Sequence, residues 1–295
     1  GLNGMRKSLH GLLSSPVFWR GAVSIVAFVI LWELGARSKQ WMAPELFMPL
    51  KEMLGAMGFK KDYLPWVGVA PAPSSVLAAW IDVLGQGGYW QSWYMSMFRV
   101  MSGFIAAMLI GIPFGLLLAV SRTAQGIGFP VFEVLRPIPP LAWVPASIIF
   151  WPTQELAISF VTFLGAFYTI VINVLGGARS IDVHYYQAAQ SMGSSQWDIF
   201  RRVILPGTLP SIVVGSAVGM GITWEVVVAA EMISGGGSQQ SGAGGGLGFF
   251  IWSSYVGGSY EQIVVGMISI GIAGFASSEL LRWLGRYVTP WLRVR

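Results

Sequence analysis

Cysteine is absent from all 295 residues of this chain, so neither a disulfide nor thiol chemistry contributes to its fold or function. Charge is scarce too: Asp, Glu, Lys and Arg make up 11% of the residues, against about a quarter in a soluble domain. A water-soluble chain of this length could not clothe its surface with so few charges. The two histidines, His10 and His184, lie far apart and lack partners at metal-ligand spacing, which argues against a structural zinc site. No G-x-x-x-x-G-K-[ST] phosphate cradle occurs, so the chain cannot hydrolyse ATP by that route. No nucleophile, base and orienter form a recognisable set, and the chain is not read as an enzyme. The formal charge of +5 fits basic loops on the cytoplasmic side of a membrane better than nucleic-acid binding.

What the chain has in plenty is apolar residues, 54% of the total, gathered in blocks of about the length that crosses a hydrocarbon core. Strand-like alternation is missing, which favours helices over a barrel. The expected fold is an all-α integral membrane protein of about six transmembrane helices. A short basic amphipathic lead-in with Arg6, Lys7 and Arg20 precedes a first span over 21–36, and a proline-bearing polar stretch reaches to about Trp93. Within that stretch, 74–84 reads as a short surface helix capped by Ser74 or Ser75. Further spans are expected over 99–120, 129–151, 155–175, 206–232 and 262–284. The second contains Gly111-x-x-x-Gly115, small residues that let helices approach closely. The third is broken by Arg136-Pro137-Ile138-Pro139-Pro140 and Pro145, which no regular helix accommodates.

With both termini inside, Arg6, Lys7, Arg20, Arg122, Arg179, Arg201, Arg202, Arg282, Arg286, Arg293 and Arg295 fall on the cytoplasmic side. Arg37, Lys39, Lys51, Lys60 and Lys61 fall outside, mostly in the one long loop where the bias counts less. Both termini are therefore expected in the cytoplasm.

Between the fourth and fifth spans, residues 177–206 form a polar segment. Tyr185, Ala188, Ala189 and Met192 share a helical face, Gly193 suits a helix stop, and Ser194 or Ser195 can cap a second helix. Trp197, Phe200 and Val203-Ile204 are expected to turn apolar faces inward, and Pro206 opens the next span. On these features alone the segment is either a docking element or an ordinary intracellular loop.

Its residues are more specific than its periodicity. Gln187-Ala188-Ala189-x-x-x-Gly193, then nine residues, then Val203-Ile204-Leu205-Pro206, closely resembles the EAA signature of binding-protein-dependent ABC permeases. Glutamine stands for the usual glutamate and valine for the usual isoleucine. Pro71-Ala72-Pro73-Ser74-Ser75-Val76-Leu77, the proline run at 136–145 and Val227-Val228-Ala229-Ala230-Glu231-Met232-Ile233 are similar to the nitrate, sulfonate, taurine and bicarbonate branch. The resemblance implies a type I ABC importer permease-like fold, with 1–98 as lead-in, first helix and outer loop and 99–295 as the core permease domain. It implies that Tyr185, Gln187, Ala188, Ala189, Gly193, Trp197, Leu205 and Pro206 form a cytoplasmic coupling helix region that docks ABC ATPase subunits. The implied partners are those ATPases, a periplasmic or lipid-anchored substrate-binding protein, a second permease copy and membrane lipid, with no nucleic acid. ATP and Mg would be bound by the ATPase, and no cofactor by this chain. The implied location is the bacterial inner membrane.

Ionisable groups inside spans are pathway candidates because hydrocarbon penalises them. Arg136 is close enough in sequence to pair with Glu133, or it contacts an anion. Thr223, Trp224, Glu225 and Glu231 complete the candidate pathway, with Glu231 alternatively bracing helix ends. The resemblance implies a small polar solute of the nitrate, taurine, sulfonate or bicarbonate type. A carboxylate at Glu225 suits a zwitterion or cation better than a simple anion, so a permease for a cationic or neutral metabolite is kept as an alternative. An ion-coupled secondary transporter is another. The glycine-rich stretch at 235–248 is either a flexible outer loop near the binding protein or a passive insertion.

Overall fold

A computed structural model describes residues 16–60, 62–234 and 245–291. The basic lead-in up to residue 15, and positions 235–244 of the glycine-rich stretch, lie outside the described residues. The described chain is helical, without a strand, and divides into two compact units. The first comprises residues up to Gly85 together with Gly258–Val265, and the second comprises Gln86–Gly257 and the chain from Gly266 onward.

In the first unit, α1 (Pro16–Ala36) is long and apolar enough to cross a membrane. Ile25, Phe28 and Leu31 stand exposed on it, as a helix surrounded by lipid requires. It is followed by α2 (Met48–Ala56) and α3 (Pro73–Leu84). The start of α3 differs from expectation. Ala72 is its N-cap and Pro73 its first residue, while Ser74 is turned to another task. The Ser74 N–H and Oγ–H both donate to the Glu33 carboxylate, at 3.1 and 2.9 Å, and Ser75 Oγ donates to the Ala72 carbonyl. Pro73 has no N–H to satisfy, and the next amide, that of Ser74, is met by Glu33 in place of an N-cap side chain.

The second unit is built on α4 (Gly87–Val120), α7 (Gln154–Arg179) and α10 (Leu205–Ile233), with α12 (Tyr260–Val288) starting in the first unit and continuing in the second. The expected second span thus begins twelve residues earlier, at Gly87, and runs unbroken through the expected division at residue 98. Between α4 and α7 lie α5 (Arg122–Leu135), a 3-10 turn (Pro140–Trp143) and α6 (Val144–Phe150). This corrects the expected third span: Pro137, Pro139, Pro140 and Pro145 cut it into pieces too short to cross alone. Five helices among the described residues have the length and apolarity to span, and the broken segment stands where a further span was expected.

Helix α7 is the centre, packed on α4 along one side and α10 along the other. Glycines set these contacts. A Cβ on Gly103 would lie 2.8 Å from Phe163 N and Ser159 O, which are backbone atoms that cannot give way. One on Gly115 would lie 2.9 Å from Val174 Cβ, and one on Gly215 2.6 Å from Asn173 Cβ. Without a hydrophobic drive between helices in lipid, such close approach and its dispersion contacts carry the association. Asn173 does not bond across helices: its Nδ2 donates to Thr169 O of its own turn.

Replacing Gly103 by Val should therefore lower stability by about 1–3 kcal/mol through overpacking. A denaturing-detergent titration reads this as an earlier midpoint. Gly176→Ala, which adds a methyl into open space within a helix, should leave the midpoint no earlier than the parent's.

Candidate functional site

The segment after α7 folds as α8 (Val183–Ser191) and α9 (Gln196–Ile199), joined by a glycine turn. Asp182 caps α8, accepting from the His184 N–H at 2.9 Å. Gly193 has φ +78°, a left-handed conformation that side chains disfavour, and its N–H closes on Gln190 O. Ser195 caps α9 through Asp198 N–H. Tyr186 Oη–H donates to Gln196 Oε1 at 2.8 Å and ties the two short helices together.

Of the residues expected to couple, Tyr185, Gln187, Ala188, Gly193 and Trp197 are exposed, Leu205 and Pro206 are partly covered, and Ala189 is buried. Trp197 corrects the expectation that it turns inward: it is 66% exposed and stacks on Phe200, while Ile199 is the residue that fills the interior. A π-helical turn at Phe200–Ile204 then joins α9 to α10. With Tyr185, Met192 and Trp197, the loop presents large apolar side chains to its surroundings. Behind it, a cleft of about 1090 Å³ opens between the loop and the C-terminal ends of α4 and α7, lined by Leu116, Val120, Arg179, Tyr186 and Phe200 among others.

At the opposite end of α7 lies a buried charge cluster. Arg99 on α4 has no exposed surface. Its Nε and Nη2 donate to the two oxygens of Glu155, on the first turn of α7, at 2.7 and 2.5 Å. Its Nη1 donates to Glu231 Oε1, near the end of α10, at 2.9 Å. Ser96 Oγ–H, one turn before Arg99, points at both Glu231 oxygens, and the Leu247 N–H donates to Ser96 Oγ. Gly248 N–H donates to Glu231 Oε2 at 2.9 Å. Glu231 thereby caps α11 (Leu247–Val256), and a Cβ on Gly246 would collide with the Glu231 carboxylate. Gly246 is glycine because a carboxylate passes against it.

The pathway candidates separate accordingly. Glu231 is sealed and joins four helices, the bracing arrangement given as the alternative to a place in the pathway. Thr223 and Trp224 are also buried, Thr223 Oγ1 donating to Gly219 O and the Trp224 indole to Ser277 Oγ. Arg136 lies exposed beyond α5, paired with Glu133 at 2.9 Å. Glu225 alone of the set is exposed on a spanning helix without a hydrogen bond or ion pair to a described residue. Arg99, Glu155 and Ser96 escaped the sequence reading. The available signal was the arginine itself, since a lone guanidinium within an apolar span demands acids to neutralise it.

A broken third segment, glycine-packed central helices and an exposed two-helix loop continuous with a spanning helix are the features expected of the type I ABC importer permease fold. Residues 111–294 match the sequence model of the binding-protein-dependent transport system inner membrane component, and the chain belongs to that family. It is 36% identical over 205 residues to the nitrate import permease protein NrtB of Leptolyngbya laminosa, covering 70% of each chain. It is 34% identical over 226 residues to the taurine transport system permease protein TauC of Escherichia coli, covering 75% of this chain and 79% of that one. A bicarbonate transport system permease protein, CmpB of Synechococcus elongatus, is 34% identical over 205 residues, 70% of this chain and 71% of the relative. Among solved structures, a bacterial ABC transporter that imports alginate matches with TM-score 0.56 at 14% identity, over 92% of this chain and 96% of that one. The inward-facing methionine transporter MetNI matches with TM-score 0.52 at 22% identity, over 73% and 97%. These two likenesses concern the fold.

Two measurements follow. Arg99→Met strands two carboxylates and should cost about 3–5 kcal/mol, while removing all three charges together with Glu155→Gln and Glu231→Gln should recover part of that loss in the same unfolding assay. An Arg99→Met variant as stable as the parent would show that the cluster contributes nothing. The His184 N–H and ring hold the Asp182 carboxyl below its usual range. A depressed carboxylate stabilises above its unfolded pKa and loses that contribution as pH falls through the folded value. The protection of α8 amides, taken relative to the intrinsic exchange rate at each pH, should therefore fall as pH drops below about 4, and Asp182→Ala should remove the step.

Proposed function

We propose that this permease works as two copies around a two-fold axis, importing a small polar solute at the expense of ATP hydrolysed by partner ATPases. Both termini and the 183–202 loop face the cytoplasm, where the loop seats in an ATPase groove. A substrate-binding protein delivers the solute at the opposite membrane face. ATP and Mg reside on the ATPase.

The observation that carries this reading is the exposed apolar surface of the loop. Tyr185, Met192 and Trp197 are 68, 79 and 66% exposed on a segment with its own caps and its own internal tie. Large side chains held out by a rigid frame are the usual energetic centre of a protein contact. An ion-coupled carrier has no use for such a dock. The loop also leads through the π turn into α10 without a break, so a push from the ATPase reaches the membrane directly. Relatives named for nitrate, taurine and bicarbonate support a small polar solute.

Tyr185→Ala and Met192→Asp change exposed residues and leave the frame of the loop in place. In lipid nanodiscs, each should reduce ATPase retention about tenfold or more, a loss of roughly 1.4 kcal/mol, with the permease itself as stable as the parent. An ATPase that binds the variants as it binds the parent sinks the docking assignment.

A further inference from the structure

The charges along the three central helices point to the cargo. Along α4, α7 and α10 the charged side chains are Arg99, Glu155, Arg179, Glu225 and Glu231. Arg179 ends α7 beside the coupling loop, and Arg99 is fully enclosed between Glu155 and Glu231. No guanidinium or ammonium on these helices is therefore left at membrane depth for an incoming anion. The charge left over is negative, on Glu225.

Glu225 lies six residues before Glu231 on α10, roughly 9 Å along the axis, and is exposed with no ion pair or hydrogen bond to a described residue. One turn below, Gly221 is exposed, and a Cβ there would meet nothing within 4 Å. Val218 and Val214 continue the same exposed stripe. A carboxylate facing lipid at this depth is expensive, and such groups face water-filled cavities or partners instead. The open space over Gly221 next to that carboxylate is what a path for a solute needs. Walls of low dielectric would focus the field of Glu225 along it.

We propose that Glu225 lines the translocation pathway and that the cargo carries a positively charged nitrogen, as a zwitterion or a cation, rather than being a simple anion. This rests on the permease reading above. In the two-copy assembly each copy contributes one Glu225, which doubles the negative potential along the path. The ammonium of the solute passes the carboxylate with its desolvation offset by their attraction, and an anion meets repulsion at the same place.

The absence of cysteine makes the test direct. Gly221→Cys introduces a single thiol at a position with room for it. The full-length protein is treated in right-side-out and inside-out membrane vesicles with two methanethiosulfonates, one bearing trimethylammonium and one bearing sulfonate. Rates are normalised to those of a free thiol in solution. The cationic reagent should react about a hundredfold faster than the anionic one, because a unit charge some 6 Å away in a medium between protein and water attracts one and repels the other by about tenfold each. The preference should vanish when Glu225→Gln is added to Gly221→Cys. Equal normalised rates with Glu225 present overturn the proposal, as does a thiol inert to both reagents from both sides. The labelling reads only this face of α10. If the ATPase docks as proposed while the introduced thiol shows no charge preference, the cargo assignment alone is removed.

Discussion

A guanidinium with no exposed surface sits where α4, α7, α10 and α11 meet, held by Glu231 and Glu155, and the upper half of the second unit is arranged around it. Breaking one partner of a buried pair leaves an uncompensated charge that costs several kcal/mol. Ser96 must therefore stay one turn from Arg99, Glu155 must open α7, and α10 must end within reach of the Leu247–Gly248 amides. The glycines at 246 and 248 are a consequence of the same demand, because any side chain there would displace the Glu231 carboxylate or the Val228 carbonyl. A network of this kind adds little net stability over an apolar core, but it fixes the relative heights of the helices it joins.

Helix-to-helix contacts farther down obey a different constraint. Around α7 the spacing is set by what is missing from side chains, at Gly103, Gly115 and Gly215. Charge fixes register at one end of α7, and close packing fixes distance along its length. The two act on the same helix and agree, which is the mark of a sequence whose local choices support one fold.

Much of this was legible in the sequence, and the misses have physical causes. Spans over α7, α10 and α12 were placed within a few residues because apolar blocks between charged ends have few readings. The 183–202 loop was legible down to its Ser195 cap and Gly193 turn, since caps and left-handed glycines are local chemistry. Trp197 was misplaced because a four-residue helix is too short for a period to fix which of its apolar residues faces inward. Ser74 resembled a cap and bonds Glu33 instead, a partner 41 residues away that no window could include. The charge cluster was missed for the same reason: Arg99 meets acids 56 and 132 positions along the chain. Local geometry can be read from neighbours, whereas neutralisation of a buried charge is settled by whichever helix ends arrive there.

The 183–202 loop also stands at the foot of a long rod. From Gln196 to Ile233 the chain is a single helical rod, interrupted in type but not in continuity by the π turn at Phe200–Ile204. Trp197 and Glu225 are fixed to that rod roughly 42 Å apart. Such a rod transmits torsion as well as thrust. A π turn carries one residue more than an α turn, so its relaxation to α geometry would rotate everything above it by about 100°. The stripe of Val214, Val218, Gly221 and Glu225 would then face a new direction, turned by a change in hydrogen bonding at the foot of the helix.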